Sequence, residues 1–271
     1  MSRMTKAPQG KGHHAVFQSG ELGVKWLGLE VLRLEAGESW QGQLKDEEAA
    51  LVLLSGRCSV SVDQTRFDDI ARADIFTALG TTVYAPRRSQ LEVTAQARME
   101  MAIAKAPCEV DLKPQRLNPD TVKVISAGMA NWRRDVRLLV APGSPVSSRL
   151  IVGETINPPG NWSGIPPHKH DTINDKENIL EEFYLFKMKP ADGYGIQVLN
   201  DDGRDNAFVI VNDDVAILQQ GYHPTAAAPG VTVAYLWVLS GDDKAYNITT
   251  DPRFAWVAAT EAVLKEMKNS N

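Results

Sequence analysis

The chain has 271 residues, a formal net charge of −5 and a hydrophobic fraction of 43%. This length suffices for two domains of ordinary size, and the composition is that of a globular protein. The acidic balance argues against nucleic acid as a partner, because phosphate binding needs a clustered basic surface. No stretch approaches the roughly 20 apolar residues of a membrane span, and the polar N-terminus lacks the apolar core of a signal peptide. We therefore expect a cytoplasmic protein that binds neither nucleic acid nor membranes.

Strand patterns dominate the first half of the chain. Short apolar or alternating runs occur at 29–34, 49–54, 57–62, 81–85 and 91–94. Turn residues such as Gly, Pro and Asp separate them at intervals that are typical of a β-sandwich or barrel. The sequence thus predicts a polar N-terminal segment over 1–20 and a first barrel over 21–110.

The second half repeats this layout. Similar runs occur at 150–156, 182–188, 194–199, 207–211, 214–218 and 232–239. The common order of features predicts a duplicated barrel, with the second copy over 147–250. Residues 111–146 contain several prolines and read as a connecting segment that includes some strand.

The end of the chain has a helical pattern. Asp251 followed by Pro252 is a good helix start, with a side-chain cap and a preset φ. Helical spacing then relates Trp256, Thr260, Val263, Leu264 and Met267. We predict a C-terminal helix over 251–271 that packs this face on the second barrel.

Three of the five histidines lie in unusual contexts. His168 and His170 would point to the same face of an extended strand, about 6.5–7 Å apart along the backbone. Two imidazoles at this spacing can converge on one ion. His223 follows a glycine turn, and Glu181 or Glu182 opens an apolar strand. Three imidazoles and one carboxylate suit zinc, manganese, iron, nickel or cobalt.

A histidine alone is more often a surface or hydrogen-bonding residue than a metal ligand. Here the combination of a His-x-His pair, a carboxylate and a third histidine favours metal binding. Residues 20–110 contain no histidine, so the first barrel lacks the same ligands. One divalent ion per chain is therefore predicted.

The most specific motifs of the chain lie around these residues. They are SGIPPHKHD, LEEFYLF, GYHP followed by APG, and DPRFAWV, in this order, with GLEVLRLEAGES and LVLLSGRCSVSV in the first half. Over about residues 25–257 the chain resembles the 5-deoxy-glucuronate isomerases of bacterial inositol breakdown. The 4-deoxy-threo-hexosulose-uronate isomerases of pectin breakdown have a similar plan. The resemblance implies an all-β bicupin, that is, two jelly-roll barrels in tandem.

The resemblance also implies a ligand set and a reaction. The ligands would be His168, His170, Glu182 and His223, and the choice of Glu182 over Glu181 rests on aligning EFYLF with the family's strand. The reaction would convert the aldose 5-deoxy-glucuronate into the ketose 2-deoxy-5-keto-gluconate. Moving a carbonyl between adjacent carbons requires proton removal through an enediol-like intermediate, which a Lewis-acidic metal would stabilise.

Proton transfer and substrate binding require further side chains. Tyr184 and Glu177 are the predicted catalytic residues, with Glu181 and Tyr222 as alternatives. Arg133 and Arg149 are the predicted cationic contacts of the substrate carboxylate, with Arg134 and Lys187 as alternatives, and Gln197 is a predicted neutral contact. Lys169 would point to the opposite face of the His-x-His strand.

The chain departs from the family's pattern at Ala130, Val198 and Trp237. These changes remove a possible anion contact and add bulk near the barrel, but they leave the predicted ligands untouched. Two other functions fit the same site: another metal-dependent cupin enzyme, such as a dioxygenase, or a cupin that binds sugar without catalysis. The exposed edges of such sheets are often covered by a second copy, which predicts a homo-oligomer with a small sugar acid as substrate.

Overall fold

The computed structural model describes residues 3–201 and 203–269, so positions 1, 2, 270 and 271 of the predicted terminal segments lie outside it. The strands of the first half are β1 (Met4–Lys6), β2 (Gly12–Phe17), β3 (Gly28–Leu34), β4 (Ser39–Gln43), β5 (Glu47–Val62), β6 (Thr65–Arg72), β7 (Thr82–Ala85), β8 (Gln90–Pro107) and β9 (Gln115–Leu117). The later elements are β10 (Lys123–Ala127), β11 (Arg134–Val140), β12 (Ile151–Asn157), β13 (Trp162–Ser163), β14 (His168–Lys169), β15 (Glu181–Lys189), β16 (Tyr194–Asp201), β17 (Arg204–Val211), β18 (Asp214–Leu218), β19 (Thr225–Ala227), β20 (Thr232–Ser240), β21 (Thr249–Thr250) and the helix α1 (Trp256–Asn269). Three short 3-10 helices cover Pro119–Thr121, Ala130–Trp132 and Pro252–Phe254.

Two barrels follow one another along the chain. In the first, the strands pair in the order β2-β3-β8-β5-β7-β9, with β4 on β8 and β6 on β5. The long strands β5 and β8 shift register several times, and such bulges bend a strand so that it can serve both faces of a barrel. The second barrel combines a sheet β1-β18-β15-β20-β12-β11-β10 with a sheet β13-β19-β16-β17.

Three apolar cores hold these sheets together. One fills the first barrel, one fills the second, and the third lies between the two barrels. On β15, Phe183 belongs to the core between the barrels, whereas Tyr184 and Phe186 belong to the interior of the second barrel. Because both faces of this strand are buried, its sequence is almost continuously apolar. Full burial of a side chain such as Phe183 contributes about 1.5–3 kcal/mol.

Several segments cross the boundary between the barrels. Met4–Lys6 forms the edge strand next to β18 of the second barrel, although it precedes the first barrel in the chain. Within the predicted connecting segment 111–146, β9 pairs with β7, whereas β10 and β11 extend the second barrel's sheet beyond β12. The connection is therefore divided between the two barrels.

The C-terminal helix begins later than the sequence predicted. The Asp251 carboxylate accepts a hydrogen bond from the Arg253 backbone N–H, which caps the short 3-10 helix that precedes α1. The predicted packing face is only partly covered, because Trp256, Val263 and Met267 are 56–60% exposed whereas Thr260 and Leu264 are half-buried. The buried Val257 holds the first turn, and Trp132 Nε1 donates to Glu261 Oε1 at 2.8 Å. Within the described residues, no helix is long and apolar enough to cross a membrane.

Candidate metal centre

Three imidazoles converge at one end of the second barrel. His168 lies on β14, His170 follows this strand, and His223 comes after the turn at Gly221, whose φ is +81°. One ligand atom from each ring lies within 4.8 Å of the others. Nitrogens that share one ion at about 2.1 Å lie roughly 3–3.5 Å apart, so small side-chain movements suffice to bring all three to one ion.

Glu182 supplies a carboxylate from the neighbouring strand β15. Its Oε2 lies 3.1 Å from His170 Nε2 and 3.3 Å from His223 Nε2. Glu181 lies on the opposite face, where it accepts hydrogen bonds from the backbone N–H groups of Lys25 and Trp26 at 2.6 and 2.8 Å. The alternation of side chains along a strand thus assigns one glutamate to the imidazoles and the other to the first barrel.

Backbone carbonyls fix the tautomers of two of the rings. His170 Nδ1 lies 2.6 Å from Leu180 O, and His223 Nδ1 lies 2.9 Å from Gly221 O. A carbonyl oxygen only accepts, so each Nδ1 must carry the hydrogen. In the neutral rings, both Nε2 atoms then point a lone pair at the Glu182 oxygen.

Lone pairs that face one another require a cation between them, either a proton or a metal ion. His223 Nε2 is also buried and makes no hydrogen bond. Imidazole nitrogens and a carboxylate are the donors that first-row divalent metals prefer, and separations of 3.1–3.3 Å suit neighbouring ligands of one ion. The residues present therefore fit a divalent metal.

The electrostatics of the cluster favour this ligand set. Burial and the adjacent His223 and His170 hold the pKa of His168 well below its usual value, so this ring stays neutral. Burial also opposes a charge on His170, but the hydrogen bond to Glu182 outweighs it and raises the pKa. In Glu182, burial is likewise outweighed by the adjacent imidazoles of His170 and His223, which lower the pKa to about 2.

A cavity of about 100 Å³ opens beside the cluster. Its polar lining consists chiefly of Arg134, His168, Glu182, Tyr184, Tyr235 and Tyr246. Burial raises the pKa of all three tyrosines, so each hydroxyl is neutral near pH 7. The Tyr246 hydroxyl lies 3.5 Å from His168 Nε2, and the Tyr235 hydroxyl donates to Ser163 Oγ at 2.9 Å. The cavity thus combines hydrogen-bond donors, a carboxylate and one guanidinium.

Two larger clefts elsewhere contain no histidine among their described lining residues. One of them, of about 990 Å³, lies at the junction of the barrels. Its Arg33 and Glu100 side chains pair with each other at 2.6 Å. Charges that neutralise one another in this way leave little to recognise a ligand, so the imidazole cluster remains the candidate site.

Comparison with known proteins identifies the family. The model of the KduI/IolB family matches residues 2–257. The chain belongs to the KduI/IolB family. It is 34% identical over 274 residues to the 5-deoxy-glucuronate isomerase of Geobacillus kaustophilus (strain HTA426), with 98% of this chain and 99% of that protein covered.

Solved structures agree with this membership. An IolB-like protein from Salmonella typhimurium LT2 superposes with a TM-score of 0.90 at 29% identity, over 94% of this chain and 98% of that one. The oxalate decarboxylase of Lactobacillus farciminis superposes with a TM-score of 0.69 at 12% identity, over 98% and 93% of the two chains. The second likeness concerns the fold alone. The predicted all-β bicupin with a C-terminal helix is confirmed.

The two predicted catalytic residues lie in different places, Tyr184 at the cavity and Glu177 away from it. Tyr184 lines the cavity, and its ring centroid lies 6.1 Å from that of His223. Glu177 is buried away from the cavity, where its Oε1 accepts from Lys169 Nζ and from the backbone N–H of Asp171 at 2.9 and 2.7 Å. Glu177 therefore organises the loop after the His-x-His strand. Tyr222, an alternative, lines a separate groove.

The predicted substrate contacts also lie outside the cavity. Arg133 is exposed and pairs with Asp135 at 3.1 Å, and Arg149 donates to Gly241 O at 2.8 Å. Lys187 is buried between the barrels, where it pairs with Glu100 and Asp213 at 2.7 and 2.5 Å. The direction in which each of these side chains points depends on the residue at which its strand begins. The sequence pattern did not determine that residue.

Gln197 is fully buried and supports a predicted metal ligand. Its Nε2 donates to His223 O at 3.0 Å, and its Oε1 accepts from Thr225 Oγ1 at 2.7 Å. The side chain thus fixes the backbone that carries the third imidazole. It does not line the cavity formed beside the cluster.

The three departures from the family's pattern have different surroundings. Trp237 lines the cavity, where Gly153 leaves room for it, because a Cβ at Gly153 would lie 2.1 Å from the indole. Val198 lines the separate groove, and Ala130 lies in a 3-10 helix with φ +45°. Only Trp237 therefore changes the shape of the candidate site.

The sequence patterns missed Tyr235 and Tyr246 as cavity residues. Tyr235 could have been found, because it alternates with Trp237 on the inward face of β20. Tyr246 lies in an irregular loop with no periodic signal. Arg134 was considered only as an alternative to its neighbour Arg133.

Proposed function

We propose that this protein isomerises 5-deoxy-glucuronate to 2-deoxy-5-keto-gluconate with one divalent metal ion held by His168, His170, Glu182 and His223. The lone pairs of two fixed tautomers, which face the Glu182 carboxylate, are the observation that carries the metal site. The substrate comes from relatives named 5-deoxy-glucuronate isomerase at 34% and 32% identity over almost their full length. We further propose a cytoplasmic homo-oligomer, and both properties remain predictions.

The ion, when bound, supplies Lewis acidity towards the oxygens of the sugar. Side chains of the protein supply the remaining functions. Glu182 stays ionised because its pKa is about 2, and His168 stays neutral because burial lowers its pKa. Glu182 therefore supplies a negative charge to the ligand set over the physiological pH range.

Tyr184 is the proposed hydrogen-bond donor to the substrate. Its pKa is raised well above its usual value of 10 by burial and by the neighbouring charge of Glu182, so its hydroxyl is a donor rather than a base at neutral pH. We propose that it donates a hydrogen bond to a sugar oxygen and so stabilises the negative charge that develops on that oxygen in the enediol-like intermediate. Tyr235 and Trp237 form the adjoining wall and limit the access of water.

The test combines metal analysis with turnover. Elemental analysis of the purified protein should give about one divalent ion per chain, and NMR in D₂O should show the ketose with deuterium at the carbon that receives the proton. His168→Ala should lose both metal and turnover. His13→Ala is the matched control, since His13 lies on β2 and pairs with Glu30 in the first barrel.

Each possible outcome tests a different part of the proposal. Turnover by a metal-free wild type would remove the metal's role, whereas bound metal without conversion of 5-deoxy-glucuronate would remove the substrate. Uptake of oxygen during turnover would identify a dioxygenase instead. Sugar binding without any conversion would identify a binding protein.

A further inference from the structure

Arg134 lines the cavity beside the imidazole cluster. It is the first residue of β11 and pairs with Ala127 across the β10-β11 hairpin. Arg134 and Val136, two residues apart, both line the cavity. Arg137 points the other way and donates to carbonyls of the first barrel. The alternation along β11 therefore directs one arginine into the cavity.

The backbone holds this guanidinium through one nitrogen. Arg134 Nη1 donates to Ile165 O at 3.0 Å and to Trp132 O at 3.3 Å. Among the described residues, no other hydrogen bond from this side chain is formed, so Nη2 and Nε keep their donors for a ligand. A fixed Nη1 with the other two nitrogens available is the arrangement in which a guanidinium can grip a carboxylate with two parallel bonds.

The position of Arg134 is also built by its surroundings. Gly128, with φ +74°, allows the hairpin to close tightly. A Cβ at this glycine would lie 2.2 Å from Trp132 O and 2.8 Å from Arg134 Nη1. Any side chain there would displace both the guanidinium and one of the carbonyls that hold it.

The charge of Arg134 has no carboxylate partner in the described part of the chain. The nearby Arg72 and Arg137 both lie within 3.5 Å of Glu154, but no described carboxylate lies within 4.0 Å of Arg134. It is the one cationic side chain among the described residues that line this cavity. A half-buried cation beside a polar cavity is a site for an anionic ligand.

We propose that Arg134 binds the carboxylate of the sugar acid and so orients the carbonyl end of the same molecule towards the metal ligands. The proposal rests on the proposed function, in which the reacting carbons and the carboxylate lie at opposite ends of the substrate. One end would be held by the imidazole cluster and the other by the guanidinium. Arg134 would then decide which aldoses are accepted.

The experiment compares charged and uncharged ligands. For 5-deoxy-glucuronate, Arg134→Gln should lower kcat/KM roughly 10–150-fold, mostly through KM, as expected for loss of a charged hydrogen bond. Turnover of the corresponding 5-deoxy aldose without a carboxylate should change little. Arg134→Lys should retain part of the preference for the sugar with a carboxylate, because lysine keeps the positive charge but lacks the planar guanidinium that can form two parallel bonds.

Two controls exclude a structural effect. Arg133→Gln changes the exposed neighbouring arginine and should leave kcat/KM unchanged. Metal content should stay at the wild-type level in Arg134→Gln and Arg134→Lys. An equal loss for the charged and the uncharged sugar, or an undiminished preference for the uronate in Arg134→Gln, would overturn the proposal.

A binding measurement keeps the inference separate from the proposed reaction. Titration calorimetry with glucuronate and with its methyl ester measures the preference for a carboxylate without any turnover. If the wild type does not convert 5-deoxy-glucuronate, the proposed function fails. The Arg134 proposal still stands if glucuronate binds better than the ester and Arg134→Gln abolishes the difference, and it falls if the two ligands bind alike.

Discussion

Glu154 and Arg72 form a fully buried ion pair between the two barrels. The guanidinium makes two bonds, from Nη1 to Oε1 at 2.6 Å and from Nη2 to Oε2 at 2.7 Å, and both side chains are 0% exposed. Arg137 Nη1 lies 3.5 Å from the same carboxylate. Glu154→Gln keeps the shape of the side chain but leaves these two cations without an anion.

The expected loss of stability follows from this burial. Removing one partner of a buried pair costs about 3–5 kcal/mol, because the remaining charge stays desolvated. For a chain of this size, each kcal/mol lowers the unfolding temperature by roughly 2–4 °C. Glu154→Gln should therefore unfold about 6–20 °C below the wild type.

The assay is thermal unfolding followed by circular dichroism and by tryptophan fluorescence, two probes that should coincide if the barrels unfold together. Asp68→Asn is the matched control, because Asp68 pairs with Arg66 at 2.8 Å while both side chains are 55% exposed. An exposed pair of this kind contributes about 0–1 kcal/mol. If Glu154→Gln loses no more stability than Asp68→Asn, the assigned role of the buried pair is wrong.

Three further predictions concern the metal site and its cavity. Gln197→Leu leaves His223 O without its side-chain donor. Metal affinity, measured by competition with a chelator, should therefore fall about 10–100-fold. An unchanged affinity would contradict the supporting role of Gln197. Because the pKa of His170 is raised while that of Glu182 is about 2, metal binding should displace a proton from the imidazole and none from the carboxylate. Calorimetry in buffers of different ionisation enthalpy should then show proton release that declines as the pH rises through the raised pKa of His170. Release that does not vary with pH would refute this assignment. Gly153→Ala should displace Trp237 and lower the free energy of unfolding by about 1–3 kcal/mol. A urea titration followed by fluorescence would measure this change. An unaltered unfolding midpoint would disprove the prediction.

Local patterns carried most of what the sequence could predict. The His-x-His pair and the alternation along β15 are properties of a few adjacent residues, so a period of two places Glu182 and Tyr184 on one face and Glu181 on the other. Which face carries the predicted ligand came from the family resemblance and not from the period. The division into two β-rich halves is equally local, since it depends on runs of apolar residues between turns.

Long-range pairing and exact strand starts could not be predicted in this way. Nothing near Met4–Lys6 indicates that it pairs with β18, more than 200 residues away. Arg133 and Arg134 differ only in whether β11 has begun, and a shift of one residue reverses which of them faces the cavity. Tyr246 comes from an irregular loop, where no period exists to assign a direction.

The contacts between the barrels have a consequence for how this protein can evolve. The first barrel contributes no histidine to the candidate metal centre, yet Glu181, Glu154 and Lys187 are all buried against it and satisfied by its groups. A protein truncated to the second barrel would have buried charges without partners and an apolar sheet face exposed to water. With the two halves joined in this way, the half without the imidazole cluster can diverge in sequence but cannot be deleted.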